Sequence, residues 1–85
     1  MLRLSAGVVA TMIAEKLIER DPEKMGGTPV FMGTRVPIKN LFDYLETGET
    51  LESFLDDFPS VTREQALGVL EVSRQYLINF YETAA

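Results

Sequence analysis

The chain has no cysteine and no histidine among its 85 residues. Without cysteine it can form neither a disulfide nor a thiolate metal site, which fits a reducing compartment. Without histidine it also lacks the commonest general base and a frequent metal ligand. Nothing in the spacing of its carboxylates marks out a pair for acid–base chemistry or for Mg²⁺. We therefore expect a protein that is not an enzyme and that binds no metal or cofactor.

Long apolar segments are missing as well. Residues 1–14 are mainly apolar, but the run is short and contains Arg3. A membrane helix needs about 20 apolar residues, and the sequence after this run does not resemble a secreted, mature chain. We expect a cytoplasmic protein without membrane contact, with an N-terminal extension at residues 1–15 and a single domain at 16–85. Residues 1–11 should become ordered only against a partner or against the second subunit of a dimer.

Charge is divided unevenly along the chain. Residues 1–39 hold six basic and four acidic side chains, whereas residues 40–85 hold two basic and nine acidic ones. An acidic half repels nucleic-acid phosphate and suits a basic protein partner, although acidic surface residues also simply keep a domain soluble. Because so small a chain buries only roughly 60% of its unfolded surface, it should gain from forming a homodimer.

Glycine and proline are concentrated in one stretch. Residues 26–38 contain three of the six glycines and two of the four prolines. Apolar residues 30–32 and 36–38 flank Gly33, which adopts positive φ without a steric penalty. This pattern predicts a β-hairpin at about residues 28–37, followed by a helix that opens near Pro37. Residues 17–20 are predicted to pair with this hairpin as a strand; the alternative is a helix over residues 5–19.

Hydrophobic spacing predicts three helices after the hairpin, at about residues 38–47, 51–58 and 63–82. The first two carry apolar residues at i, i+3, i+4 and i+7. Gly48 should cap the first helix, and Thr62 with Gln65 forms a capping box at the start of the third. The predicted fold is mainly α, with a small N-terminal β-hairpin or sheet and a helix-turn-helix.

The hairpin and the segments around it also carry a family signature. The residues are Gly27-x-Pro29-Val30-x-x-Gly33-Thr34-Arg35-Val36-Pro37-Ile38, with Asp21-Pro22 before them and Gly48-Glu49-Thr50-Leu51-Glu52 and Asp57-Phe58-Pro59-Ser60-Val61-Thr62 after them. Together they resemble domain-of-unknown-function family 433 over roughly residues 16–78. Many of these short prokaryotic proteins look like antitoxins encoded beside a PIN-like ribonuclease toxin. The resemblance implies a homeodomain-like three-helix core and an antitoxin-like function.

The third predicted helix has more apolar surface than one face requires. One stripe, expected to face the core, contains Ala66, Val69, Leu70, Ser73, Leu77 and Phe80. Two short helices cannot also cover a second group, and spare apolar surface should face another protein chain. The predicted partner-binding residues of this second group are Val72, Tyr76, Ile78 and Tyr81.

DNA binding by the helix-turn-helix is an alternative use of the same fold. The third helix offers Arg63 and Gln65 at its start and Arg74 further on, which are residue types that read a major groove. Glu64 and the acidic helix before it oppose phosphate contact.

The basic N-terminal half offers a second route to DNA. Arg35 and Lys39 lie in or beside the hairpin, and a β-ribbon can enter a groove in a dimer. The alternative that we favour for Arg35 is a structural ion pair with a helix carboxylate such as Asp43 or Asp57.

By resemblance, then, we expect an antitoxin-like homodimer that binds and neutralises a PIN-like ribonuclease toxin and also binds operator DNA. Acidic and aromatic groups of the C-terminal half would dock on the basic RNA-binding cleft of the toxin. The alternatives are a dimeric helix-turn-helix transcription regulator without a toxin, and a module that only mediates protein assembly.

Overall fold

The computed structural model describes residues 13–84, with side chains described as far as Glu82. Residues 13–17 are helical (α1) and lead directly into strand β1, Ile18–Glu19. A 3-10 turn, Met25–Gly27, precedes strand β2, Val30–Phe31. Three helices follow: α2, Lys39–Glu46; α3, Leu51–Asp57; and α4, Arg63–Ala84. The expectation for residues 1–11 lies outside the described residues.

The two strands form a small antiparallel sheet, in which Ile18 pairs with Phe31 and Glu19 with Val30. The chain then turns back on itself, because the amide of Phe31 donates to the carbonyl of Val36 at 3.0 Å. Gly33, in the turn, has a φ of 77°. A mainly helical fold with a small N-terminal sheet is thus confirmed.

Both alternatives for the segment before the hairpin hold in part. Residues 13–17 are helical, and the strand begins only at Ile18. The switch occurs where the carbonyl of Leu17 accepts a hydrogen bond from the amide of Met32, 2.8 Å away. Pairing with the hairpin therefore replaces helical hydrogen bonding at this residue.

The turn of the hairpin is fixed by two polar side chains. The buried hydroxyl of Thr34 donates to the carbonyl of Phe31 at 2.8 Å and accepts from the amide of Val36 at 3.0 Å. The carboxylate of Glu19 accepts from the ammonium group of Lys24 at 2.9 Å and from the amide of Gly33 at 2.8 Å. These two bonds, led by that of Lys24, lower the pKa of Glu19.

The core joins the hairpin to the helices. Its buried side chains are Phe31, Leu41, Phe54, Val61, Ala66 and Val69. Phe31 of β2 lies 5.9 Å from Phe54 of α3, measured between ring centroids. Tyr44 of α2 meets Phe54 edge-on at 5.5 Å, and its hydroxyl donates to Asp57 at 2.6 Å. The hydrogen bond to Asp57 raises the pKa of Tyr44.

The helix ends follow the predicted capping pattern. The hydroxyl of Thr62 accepts from the amide of Gln65 at 3.1 Å, and the Gln65 side chain accepts from the amide of Thr62 at 3.0 Å. This reciprocal pair is the capping box expected at the start of α4. Gly48 follows α2 with a φ of 87°, as expected for a left-handed cap.

A glycine in α4 allows a close approach of the N-terminal segment. A Cβ atom placed on Gly68 would lie only 2.8 Å from Cδ1 of Leu17. A larger residue at this position would therefore require the Leu17 side chain to shift. The close contact places the start of the domain directly on the first half of α4.

Candidate protein-binding surface

Helix α4 extends past the core that it helps to form. Ala66 and Val69, in its first half, are fully or almost fully buried, whereas Leu77 and Phe80 further along the same stripe are each 59% exposed. The prediction that the whole stripe faces the core is wrong for these two residues. The reason is length: α4 has 22 residues and spans about 33 Å, whereas the partner helices α2 and α3 have only 8 and 7 residues.

The exposed end of α4 is apolar on several sides. Tyr76 is 59% exposed, Ile78 40% and Tyr81 69%. The rings of Phe80 and Tyr81 meet edge-on, with their centroids 5.4 Å apart. The end of α4 therefore exposes large apolar side chains on more than one side.

The helix geometry divides the predicted partner-binding residues between sides. At about 100° per residue, Ile78 lies roughly 160° around the helix from Tyr76 and about 120° from Val72. Val72 is half-buried, whereas the other three are exposed. Although these four residues are predicted to bind one partner, a straight helix cannot present all of them to one surface.

One side of α4, turned away from the core, combines apolar and acidic groups. We call it the outer face, and it consists of Glu64, Leu67, Glu71, Ile78, Tyr81 and Glu82, all of them exposed. Leu67 is 47% exposed, although it lies beside the buried Ala66. Glu71 is bonded to Arg74 at 3.2 Å and to Gln75 at 3.0 Å along the helix. The outer face is thus a row of apolar side chains edged with carboxylates.

The residues predicted to read DNA from α4 are engaged within the chain. Arg63 forms a salt bridge with Glu52 of α3, which raises the pKa of its guanidinium group. Arg74 is paired with Glu71. The side-chain amide of Gln65 donates to the carbonyl of Met32 at 2.9 Å. To contact a base, each of these groups would first have to give up an intramolecular contact.

Arg35 shows the opposite behaviour. The expected ion pair with Asp43 or Asp57 is not formed: Asp57 accepts the hydroxyl of Tyr44, and Asp43 lies 3.6 Å from Lys39. Within residues 13–84, the exposed Arg35 makes no salt bridge. That prediction is wrong because the carboxylates already have nearer partners. Arg35 is held on a fixed turn with its charge facing solvent.

Two other features are absent from the described part of the chain. Within residues 13–84, no group of three or more carboxylates is arranged to hold a metal ion. In this range there is also no helix that is both long and apolar enough to cross a membrane.

Comparison with known proteins places the chain in a family. A curated relative, uncharacterized protein y4eO of Sinorhizobium fredii (strain NBRC 101917 / NGR234), is 35% identical over 52 residues. That match covers 61% of this chain and 24% of the relative, so the chain spans about a quarter of the relative's length.

A solved structure agrees with the fold. The crystal structure of a DUF433 member protein from Anabaena variabilis ATCC 29413 matches with a TM-score of 0.62 and 22% identity, covering 92% of this chain and 78% of that one. At this identity the likeness concerns the fold alone. The family model described as "Protein of unknown function (DUF433)" matches residues 18–71, from β1 to the middle of α4. The chain therefore belongs to the DUF433 family.

Proposed function

We propose that this protein is an antitoxin-like binding protein that attaches to a PIN-like ribonuclease toxin and blocks it. The observation that carries the proposal is the outer face of α4, where Leu67, Ile78 and Tyr81 are exposed among carboxylates. The ribonuclease partner comes from the resemblance to family 433, in which many members look like antitoxins. The role is binding in the cytoplasm, without catalysis by this chain.

The apolar part of the outer face supplies affinity. Burying an exposed aliphatic or aromatic side chain stabilises a complex by removing apolar area from water. Tyrosine is also among the residue types that most often dominate binding energy at protein interfaces. Tyr81, which is 69% exposed, is therefore the strongest single contact that we assign to the partner.

The acidic part of the outer face supplies selectivity for a basic surface. Residues 40–85 carry nine acidic and two basic side chains, and both arginines are already paired with glutamates. A ribonuclease must bind phosphate and so presents positive charge where its RNA lies. Glu64 and Glu82 would attract that surface and compete with RNA for it.

Co-purification with the protein encoded immediately beside this chain tests the proposal. The untagged protein should be retained by its tagged neighbour, and Ile78→Asp should abolish retention because it places a charge in the apolar row. Leu45→Asp is the matched control, since Leu45 is a similarly exposed aliphatic residue (37%) on α2. Absence of a complex with the wild-type chain would overturn the proposal, as would equal retention of the Ile78→Asp variant.

Operator DNA is a second candidate ligand, favoured by one observation. Arg35 is exposed and has no salt bridge among the described residues, on a turn that hydrogen bonds hold fixed. A guanidinium without an intramolecular salt bridge suits phosphate, and a dimer could bring two hairpins to one duplex. Gel-shift assays with DNA from upstream of the gene would test this use. Arg35→Ala should abolish the shift, and Arg74→Ala should leave it unchanged.

A further inference from the structure

We infer that the core-facing side of the exposed end of α4 binds a second copy of this chain. This inner seam consists of Tyr76, Leu77 and Phe80, each 59% exposed. It continues the stripe that Ala66 and Val69 begin inside the core. The inner seam and the outer face lie on different sides of the helix. The inference therefore does not depend on the proposed toxin.

The spacing along the stripe is that of a helix which packs against another helix. Its residues recur at intervals of four, three, four and three: Ala66, Leu70, Ser73, Leu77 and Phe80. Side chains repeated in this way lie along one narrow side of the helix, where a second helix can pack against all of them. The first half of the seam is occupied by the chain's own core, and the second half has the same pattern with large side chains exposed.

Charge favours a second copy over a charged partner at this seam. None of the three seam residues is charged, and Glu71 and Glu82 lie on the outer face. Two identical acidic domains can therefore meet here without placing like charges in contact.

The same charge argument sets the orientation of the two helices. In an antiparallel pair the acidic domains, which lie at the opposite ends of the two helices, stay far apart. Leu77 and Phe80 of both copies then lie along one shared seam.

The available area fits a weak, reversible dimer. The exposed parts of the three seam residues amount to roughly 370 Å² per copy, so a symmetrical pair would bury up to roughly 750 Å², which lies in the range of weak, transient contacts. A twofold pair uses the same patch on both copies, which closes the assembly at two. We therefore expect a dimer whose population depends on protein concentration.

Sedimentation equilibrium of the full chain tests the inference. Phe80→Asp is the variant that should disrupt the dimer, and Ile78→Asp on the same helix is its control. The wild type and Ile78→Asp should show the same monomer–dimer equilibrium. Phe80→Asp should weaken it by at least about 100-fold, because the charge would be buried at the seam. Phe80 is exposed in the single chain, so the variant should fold, which circular dichroism checks.

Three results would overturn the inference: a wild-type chain that stays monomeric at high concentration, a Phe80→Asp variant that still dimerises, or loss of the dimer in both variants. If the wild-type chain stays monomeric, the seam must instead be covered by the first twelve residues or by another protein. The neighbour-retention assay separates this inference from the proposed function, because Phe80→Asp should leave retention intact and Ile78→Asp should abolish it.

Discussion

The side-chain amide of Gln65 donates to the backbone carbonyl of Met32 at 2.9 Å, which ties the first turn of α4 to the turn of the hairpin. The two residues are 33 positions apart in the sequence. The oxygen of the same amide accepts from the amide of Thr62 and so completes the capping box. Gln65 thus joins the helix-turn-helix and the hairpin into one unit, and its side chain is occupied on both sides.

Changing Gln65 in two ways should separate these contacts. Gln65→Glu keeps an acceptor for Thr62 but loses the donor to Met32, so the free energy of unfolding should fall by about 1 kcal/mol. Gln65→Ala loses both contacts and should cost about 2 kcal/mol. Urea denaturation measures both values. A Gln65→Glu variant as stable as the wild type would show that the tether to Met32 contributes nothing.

Gly68 and Leu17 should be energetically coupled. Replacing a helical glycine by alanine normally stabilises a helix by up to about 1 kcal/mol. Here the new methyl group would meet Cδ1 of Leu17 at 2.8 Å, so Gly68→Ala should be neutral or destabilising in the wild-type chain.

In a Leu17→Ala background the obstacle is gone, and Gly68→Ala should become stabilising. A double-mutant cycle should give a coupling of about 1 kcal/mol or more, read from thermal or urea unfolding. The same effect of Gly68→Ala in both backgrounds would contradict the close contact.

The turn of the hairpin should loosen in acid. Because its bonds to Lys24 and Gly33 lower the pKa of Glu19 in the folded chain, the carboxylate stabilises the fold at neutral pH. This contribution is lost as the pH falls from the ordinary glutamate pKa of about 4.3 through the lower pKa of the folded chain. Glu19→Gln should flatten the fall in stability over that range, whereas Glu46→Gln should not. Identical pH profiles for all three proteins would refute the role of Glu19.

Two phenylalanines should differ sharply in their contribution to folding. Phe54 is fully buried, and Phe54→Ala should lower the free energy of unfolding by about 3–5 kcal/mol. Phe80 is 59% exposed, and Phe80→Ala should cost less than about 1 kcal/mol when measured at concentrations low enough for monomers. A large loss for Phe80→Ala under those conditions would mean that the end of α4 is part of the folded core.

The order of elements could be predicted from local patterns. Gly33 with its flanking apolar runs indicated the hairpin, and Thr62 with Gln65 indicated the start of α4, because turns and caps depend on neighbouring residues. The exposure of Leu77 and Phe80 could also have been predicted from the lengths of the predicted helices. The predicted third helix is at least twice as long as either of the two helices that pack on it.

The partners of Arg35 and Gln65 could not be predicted in the same way. Asp57 is taken by Tyr44 through the packing of α2 against α3, and Asp43 lies beside Lys39 on α2 itself. The bond from Gln65 to Met32 likewise exists only once the hairpin lies against α4. Long-range contacts of this kind leave no periodic trace in the sequence.

The most direct test of the proposed function is an inhibition titration of the ribonuclease encoded beside this chain. Wild-type protein should reduce the RNA cleavage rate to background at about one equivalent. Ile78→Asp should need at least about ten times more protein, equivalent to a loss of about 1.4 kcal/mol or more in binding free energy, and Leu45→Asp should act like the wild type. Full ribonuclease activity at saturating wild-type protein, or equal inhibition by Ile78→Asp, would contradict the assignment of the outer face of α4.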